Sequence, residues 1–178
     1  MQDREHSTVR EGLATGLLGA AIVAVWYAVC DLAAGRPFHT FNVLGRIFFQ
    51  GDVNPGARAL DAGAVAGFAL LHIAIFVLLG LGLTLLVHLA SRNLALRMGV
   101  WMGLVVSCLF LTGLVYMLST STGERLPLWE VLGGGILGVG AMGWYLWRRH
   151  PRLRRSFDQV PLGDEVQSPP HAPGGPRV

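Results

Sequence analysis

The stretch that decides the fold runs from Ala62 to Ala90 and reads AGAVAGFALLHIAIFVLLGLGLTLLVHLA. It contains no Asp, Glu, Lys or Arg, and about 20 apolar residues in a helix are enough to span the hydrocarbon core of a bilayer. Three further stretches are long and mostly uncharged, so the sequence predicts four membrane spans, at about 12–34, 62–90, 98–121 and 128–147. We therefore expect an all-α membrane protein, a four-transmembrane-helix bundle within a domain of residues 1–149.

The composition agrees with this architecture. Of the 178 residues, 52% are hydrophobic, 14% are charged and 24 are glycine, a residue that is more frequent in membrane helices than in soluble ones. The 14 basic residues are all arginine and exceed the 11 acidic residues, but the excess lies after the last span, where it has a topological role. We therefore expect no nucleic-acid partner.

The arginines predict the orientation of the chain, because positively charged loops tend to stay cytoplasmic. Arg92 and Arg97 lie in the second connector. A cluster follows the fourth span: Arg148, Arg149, Arg152, Arg154 and Arg155. We expect a multi-pass protein of the bacterial inner membrane with both termini cytoplasmic. The cluster can bind anionic lipid headgroups at about 1 kcal/mol per residue, although a stop-transfer signal also accounts for it. The tail at 150–178, rich in Arg, Pro and Gly, is expected to be disordered and cytoplasmic.

The first outer loop carries a second helical pattern. Gly35-Arg36-Pro37 ends the first span, and Thr40 is placed to cap a second, shorter helix. Apolar residues then recur at helical spacing, with polar residues between them: Phe41, Leu44, Ile47 and Phe48. This pattern predicts a short interfacial helix that lies in the membrane surface. The alternative is a loop that covers the outer ends of the bundle.

Small residues at four-residue spacing allow two helices to approach closely. Such pairs occur in three of the spans: Gly12 and Gly16, Gly63 and Gly67, Gly134 and Gly138. We expect these six glycines to pack helices within the bundle, and an interface to another subunit is the alternative. The G-x-G-x-x-G match in the fourth span is not a dinucleotide site, because that motif needs a preceding strand.

His72 is the ionisable side chain that lies deepest in a span, where such residues are costly and often functional. A tight connection makes the second and third spans an antiparallel hairpin, which brings His72 level with Thr112 and Tyr116. We therefore expect a structural hydrogen bond from His72 to one of these two. The alternative is axial ligation of haem iron or chlorophyll magnesium by His72. A bis-histidine haem would need a second inward histidine on a facing span, and the other three spans contain none.

The remaining reactive residues do not form a catalytic pattern. Four acidic residues fall near the outer helix ends, where we expect them to be hydrated or paired with arginine: Asp31, Asp61, Glu124 and Glu130. Cys30 and Cys108 are too few for a disulfide framework or a zinc site. The sequence shows no Ser-His-Asp set, phosphate loop or metal-spaced cluster. We therefore expect a protein that is not an enzyme and has no metal site.

The stretch DLAAGRPFHT at Asp31–Thr40, with Leu44-Gly45 after it and Leu71-His72 in the second span, resembles small four-span bacterial membrane proteins of uncharacterised function. The resemblance implies a fold for the four spans without implying an activity. The sequence thus predicts a noncatalytic accessory or assembly subunit that binds other membrane protein subunits, with a bioenergetic or photosynthetic complex as a candidate host. The alternatives are a cofactor-binding subunit for electron transfer or pigment, and a small transporter.

Overall fold

The computed structural model describes residues 8–55, 59–92, 97–120 and 126–150. Within these ranges the chain forms five helices: α1 Thr8–Ala33, α2 His39–Gln50, α3 Ala62–Arg92, α4 Arg97–Thr120 and α5 Leu128–Arg149. Three stretches are long and apolar enough to cross a membrane: Thr8–Ala33, Ala62–Ala90 and Met98–Thr120. The all-helical class is confirmed, and the three stretches indicate a membrane protein. Glu124 and the predicted disordered tail beyond His150 lie outside the described residues.

The helix α5 is not among the three apolar stretches, although its 22 residues reach about 33 Å at 1.5 Å per residue. Its sequence explains the difference. Six glycines and three tryptophans stand where the other spans carry Leu and Val, and α5 also contains Glu130, Arg148 and Arg149. The structure thus supports three of the four predicted spans.

Four of the helices form a bundle in which α1 packs along both α3 and α5, while α4 packs against α3 and α5. The main core lies between these helices and includes Tyr27, Phe76 and Met142. A second buried cluster, around Leu44 and Phe68, joins α2 to α3. The chain therefore has a bundle of long helices with α2 covering one end.

Glycine brings the backbones of α1 and α3 into contact. A methyl group on Gly16 would lie 2.5 Å from the carbonyl oxygen of Phe76, and one on Gly12 would lie 2.8 Å from Cα of Leu81. Gly80, which the sequence pattern did not single out, faces Gly16 in the same way, since a methyl group there would lie 2.7 Å from Cα of Gly16. We call this contact the α1–α3 seam. Close packing of this kind drives helix association in lipid, where no hydrophobic effect acts between helices.

The contact between α1 and α5 also depends on glycine. A methyl group on Gly138 would lie 2.5 Å from Cγ2 of Val23, and one on Gly134 would lie 3.3 Å from Cδ1 of Trp26. Both glycines thus occupy the packing positions that the sequence predicts for them.

The two glycines at the start of α3 differ from that prediction. A methyl group on Gly63 would approach only Oδ1 of Asp61, at 3.2 Å, so among the described residues Gly63 packs against no other helix, and its predicted role within the bundle is wrong. The reason is its position in the exposed first turn of α3. Gly67 does make a close contact, but with the Phe49 ring of the short helix α2, at 3.0 Å.

The short helix predicted in the first outer loop is present as α2. It begins after Phe38 and ends at Gly51, whose left-handed φ of 62° lets its N–H reach the carbonyl oxygens of the last turn. Asn42 and Arg46, which a helix in the membrane surface would turn towards water, are only 5% and 8% exposed. The segment is therefore a helix, as the first expectation had it. It packs into the protein and covers the bundle end, as the alternative of a covering loop had it.

Candidate functional site

His72 lies at mid-length in α3 and bonds to α1. Its Nε2 is 3.1 Å from the carbonyl oxygen of Ala20; because a carbonyl oxygen only accepts, Nε2 carries the proton and donates it. The predicted partners on α4 are wrong. Thr112 Oγ1 is buried without a hydrogen-bond partner, and Tyr116 is exposed. The α1–α3 seam explains the difference, since it sets α1 rather than α4 against this face of α3.

The surroundings of His72 are aromatic. Ring centroids of Phe41, Phe68 and Phe76 lie 5.6, 6.4 and 4.7 Å from the centroid of the His72 ring. The cavity beside it measures about 190 Å³, below the roughly 300 Å³ at which ligand pockets begin. Ligation of haem iron or chlorophyll magnesium through Nε2 would require that atom to leave Ala20. The geometry therefore favours the structural hydrogen bond over a cofactor site.

Asp31 and Thr40 fasten α2 to the end of α1. The Asp31 carboxylate accepts hydrogen bonds from the backbone N–H of Thr40 at 2.9 Å and from its hydroxyl at 2.7 Å. Asp31 is only 5% exposed, so the expectation that it is hydrated or paired with arginine is wrong. The predicted capping role is also reversed: a side chain from α1 caps α2, and Thr40 receives this cap rather than providing one.

A second polar network ties α2 to the start of α3. The Arg46 guanidinium donates to the carbonyl oxygen of Ala59 at 2.7 Å and lies 3.8 Å from Asp52 and 3.9 Å from Asp61. The Gln50 amide donates to Asp61 at 2.9 Å, and this bond, more than any other contact, holds the pKa of Asp61 below its ordinary value. These contacts join neighbouring segments, which indicates a structural role for this end of the bundle.

An apolar groove of about 430 Å³ opens between α4 and α5, with α3 at its base. Trp101 and Trp147, whose ring centroids are 6.1 Å apart, lie in its wall. Val105 and Ile136 also line it and are 57% and 61% exposed. Gly140 is part of the same wall, and a methyl group on it would meet nothing within 4 Å. We call this feature the α4–α5 groove.

At the bundle end opposite α2, three ionisable side chains meet, one from α1, one from α3 and one from the residue that follows α5. His150 Nε2 lies 2.9 Å from Oε1 of Glu11, and His88 Nε2 lies 3.8 Å from Oε2 of the same carboxylate. One ligand atom from each residue falls within 4.8 Å of the other two. We call these residues the Glu11 cluster. A carboxylate and two imidazoles at this spacing can share protons or hold a metal ion.

Two further contacts define the chemistry of the cluster. His88 Nδ1 lies 2.8 Å from the carbonyl oxygen of Thr84, so Nδ1 carries the proton and, in the neutral ring, the lone pair is on Nε2, the atom nearer Glu11. Glu11 is 9% exposed, and its Oε2 is buried without a hydrogen-bond partner. Glu11 Oε2 and His88 Nε2 are therefore two acceptor atoms on neighbouring side chains.

Spacing along the chain does not reveal the Glu11 cluster, because Glu11 and His150 are 139 residues apart. The expectation of no metal-ligating cluster is thus corrected by the fold. One signal was available. With an even number of spans, the start of the first and the ends of the second and fourth lie on the same side, and each of these three positions carries a potential ligand.

The predicted lipid-binding arginines are only partly described. Arg148 lies over the Trp144 ring, with its guanidinium carbon 4.4 Å from the ring centroid, and Arg149 lies 5.4 Å from that of Tyr145. Both arginines are exposed at the end of α5. The cluster continues outside the described residues with Arg152, Arg154 and Arg155. Binding of anionic lipid headgroups stays a prediction.

No protein-family model matches the chain, and neither a curated protein nor a solved structure shows significant similarity to it. A functional assignment therefore depends on the geometry of the chain itself.

Proposed function

We propose that this chain is a four-span protein of the bacterial inner membrane that works as a noncatalytic accessory subunit. In this proposal it holds a transmembrane helix of another membrane protein in the α4–α5 groove. The fourth span is α5, and both termini are cytoplasmic, as the arginines after α5 favour.

Contacts at both ends of α5 support its role as a span. Near its start, the Trp26 indole of α1 donates to the carbonyl oxygen of Glu130 at 2.8 Å. Just after its end, His150 meets Glu11 at 2.9 Å. Because α1 is itself long and apolar enough to cross a membrane, a helix that lies alongside it between these two contacts covers much of the same depth.

The observation that carries the docking proposal is Gly140. Glycine within a helix costs about 1 kcal/mol relative to alanine, and in the α1–α3 seam a close backbone contact offsets that cost. Gly140 has no neighbour within 4 Å of the position of a methyl group, yet it lines the α4–α5 groove of about 430 Å³. A lipid chain fills a groove without needing glycine, whereas a helix backbone that approaches closely requires a small residue.

The position of α4 gives the incoming helix room. In its most apolar stretch only 22% of residues are buried, compared with 39% in α1 and 33% in α3. The groove lining is apolar, so the partner that fits it is an apolar transmembrane helix with small residues on its contact face. The bioenergetic or photosynthetic host stays a prediction, as do the cofactor-binding and transporter alternatives.

Site-specific photocrosslinking in native membranes tests this proposal. A diazirine-bearing amino acid replaces Ile136 in the groove or, as a matched control, Leu78 on α3, which is 68% exposed and does not line the groove. We expect one discrete protein adduct from position 136, lost when Gly140→Leu is added, and lipid adducts alone from position 78. Lipid adducts alone from both positions would contradict the proposal.

A further inference from the structure

We propose that Glu11, His88 and His150 form a binding site for one divalent transition-metal ion of the zinc class. The site lies where the start of α1 and the ends of α3 and α5 meet, and it is separate from the α4–α5 groove. The inference goes beyond the docking function and does not depend on it.

The donor set selects the class of metal. Zinc is bound by imidazole nitrogen and carboxylate oxygen, and two histidines with one glutamate are a known zinc set. Magnesium and calcium prefer oxygen ligands alone, so two imidazoles out of three donors disfavour them.

The distances suit that ion. Two ligand atoms about 2.0–2.1 Å from a tetrahedral zinc ion lie about 3.3 Å apart. Glu11 Oε1 lies 2.9 Å from His150 Nε2, and the other carboxylate oxygen, Oε2, lies 3.8 Å from His88 Nε2, so one contact is shorter and one longer than this separation. One ligand atom of each residue lies within 4.8 Å of the other two, so side-chain rotation that brings the farthest pair closer by up to about 1.5 Å would place all three donors around one ion.

The contacts around the site orient its ligands. Metal-binding histidines usually donate their second ring N–H to a carbonyl or carboxylate, which directs the other nitrogen at the metal. His88 does this through Thr84. His150 is held at the end of α5, where its backbone N–H donates to the carbonyl oxygen of Leu146 at 3.0 Å. Both histidines thus stand at or near helix C-termini, whose partial negative charge favours a cation.

Glu11 provides the independent evidence for a ligand. Its Oε2 is nine-tenths buried with the rest of the side chain and has no hydrogen-bond partner, and it points towards His88. A buried acceptor without a partner destabilises the fold, and more so when it is charged. A cation bound at Oε2 would satisfy this acceptor.

Binding of the metal ion releases one proton. The short contact between Glu11 and His150 contains one proton, carried on His150 Nε2 when the carboxylate is ionised. The metal needs the lone pair of that nitrogen, so the proton leaves to solvent as the ion binds. Three protein ligands leave a fourth tetrahedral position for water. The bound ion would link α1, α3 and α5 at the end from which the C-terminal tail departs.

Metal titration of the purified full-length chain in detergent, stripped with a chelator, tests the inference. We expect calorimetry with Zn²⁺ to show one ion per chain with Kd below about 1 μM, and a heat that varies with buffer ionisation because a proton is released. Co²⁺ should give the visible absorption of a tetrahedral site. Zn²⁺ should also raise the melting temperature of the stripped chain.

Matched variants decide which residues bind the metal. Glu11→Gln, His88→Ala and His150→Ala should each weaken Zn²⁺ affinity by about 100-fold and remove the rise in melting temperature. His39→Ala at the α2 end should change neither. If His88→Ala fails to fold, the near-isosteric Glu11→Gln and the substitution at His150, beyond the last helical residue, decide the question. Absence of saturable binding, or unchanged affinity in those two variants, would overturn the proposal.

Discussion

The α1–α3 seam and the α4–α5 groove use the same residue in opposite ways. In the seam, a methyl group on Gly16 would lie 2.5 Å from the Phe76 carbonyl oxygen, whereas in the groove one on Gly140 would meet nothing within 4 Å. The bundle itself therefore explains Gly16 but not Gly140. A glycine in a membrane helix becomes informative about partners only when the packing of its own chain has been taken into account.

The largest effect should come from adding one methyl group to the seam. Gly16→Ala would force two backbones apart, so we expect a loss of about 3 kcal/mol in the free energy of unfolding. Gly113→Ala is the control, because a methyl group there meets nothing within 4 Å and alanine favours the helix by up to about 1 kcal/mol. Unfolding in mixed micelles, followed by circular dichroism, measures both. Equal stability of the two variants would show that α1 and α3 do not touch.

A smaller effect on the free energy of unfolding should show whether His72 bonds to α1 or to α4. His72→Ala removes a hydrogen bond to α1, and interhelical bonds of this kind contribute about 0.6 kcal/mol on average and up to about 1.7. With the lost ring packing we expect a decrease of about 2 kcal/mol in the free energy of unfolding. Thr112→Val, which removes a buried hydroxyl without a partner, should leave stability unchanged or raised. A comparable loss in Thr112→Val would restore the partner on α4 that the sequence predicted.

The smallest effect should come from a position outside both the seam and the groove. The Gln50 amide, followed by the Ala64 backbone N–H, holds the pKa of Asp61 below its ordinary value of 3.8. A lowered pKa means that ionised Asp61 stabilises the fold above pH 3.8, and that this contribution is lost as pH falls through the lower value in the folded state. We expect melting temperatures measured across this acid range to fall less in Asp61→Asn than in the unchanged chain. An equal fall in both would exclude Asp61 as the cause.

The sequence could predict the helices because hydropathy and length act locally. The three apolar stretches follow from uncharged runs of spanning length, and α2 follows from apolar residues at helical spacing. In α5, six glycines and three tryptophans lower the hydropathy of a helix that is still 22 residues long. The proposal that α5 spans the membrane therefore depends on its contacts along α1 rather than on its composition.

The neighbours of each helix could not be predicted with the same success. A tight connector suggested that His72 faces α4, but its partner Ala20 is on α1, which is separated from α3 by a longer connector that contains α2. The Glu11 cluster joins residues from both ends of the chain for the same reason. Connector length constrains which helices are antiparallel, whereas the close approach of Gly16 and Gly80 decides which pair packs most tightly.

Native mass spectrometry of mild-detergent extracts tests the central claim, that the α4–α5 groove holds a helix of another protein. We predict that the unchanged chain is detected in complex with a stoichiometric membrane-protein partner. Gly140→Leu should reduce this occupancy by at least tenfold, about 1.4 kcal/mol, without lowering the melting temperature of the isolated chain. Gly82→Leu, at an equally open glycine that does not line the groove, should keep the partner. A chain that migrates only as a monomer, or a Gly140→Leu variant that keeps its partner, would contradict the account.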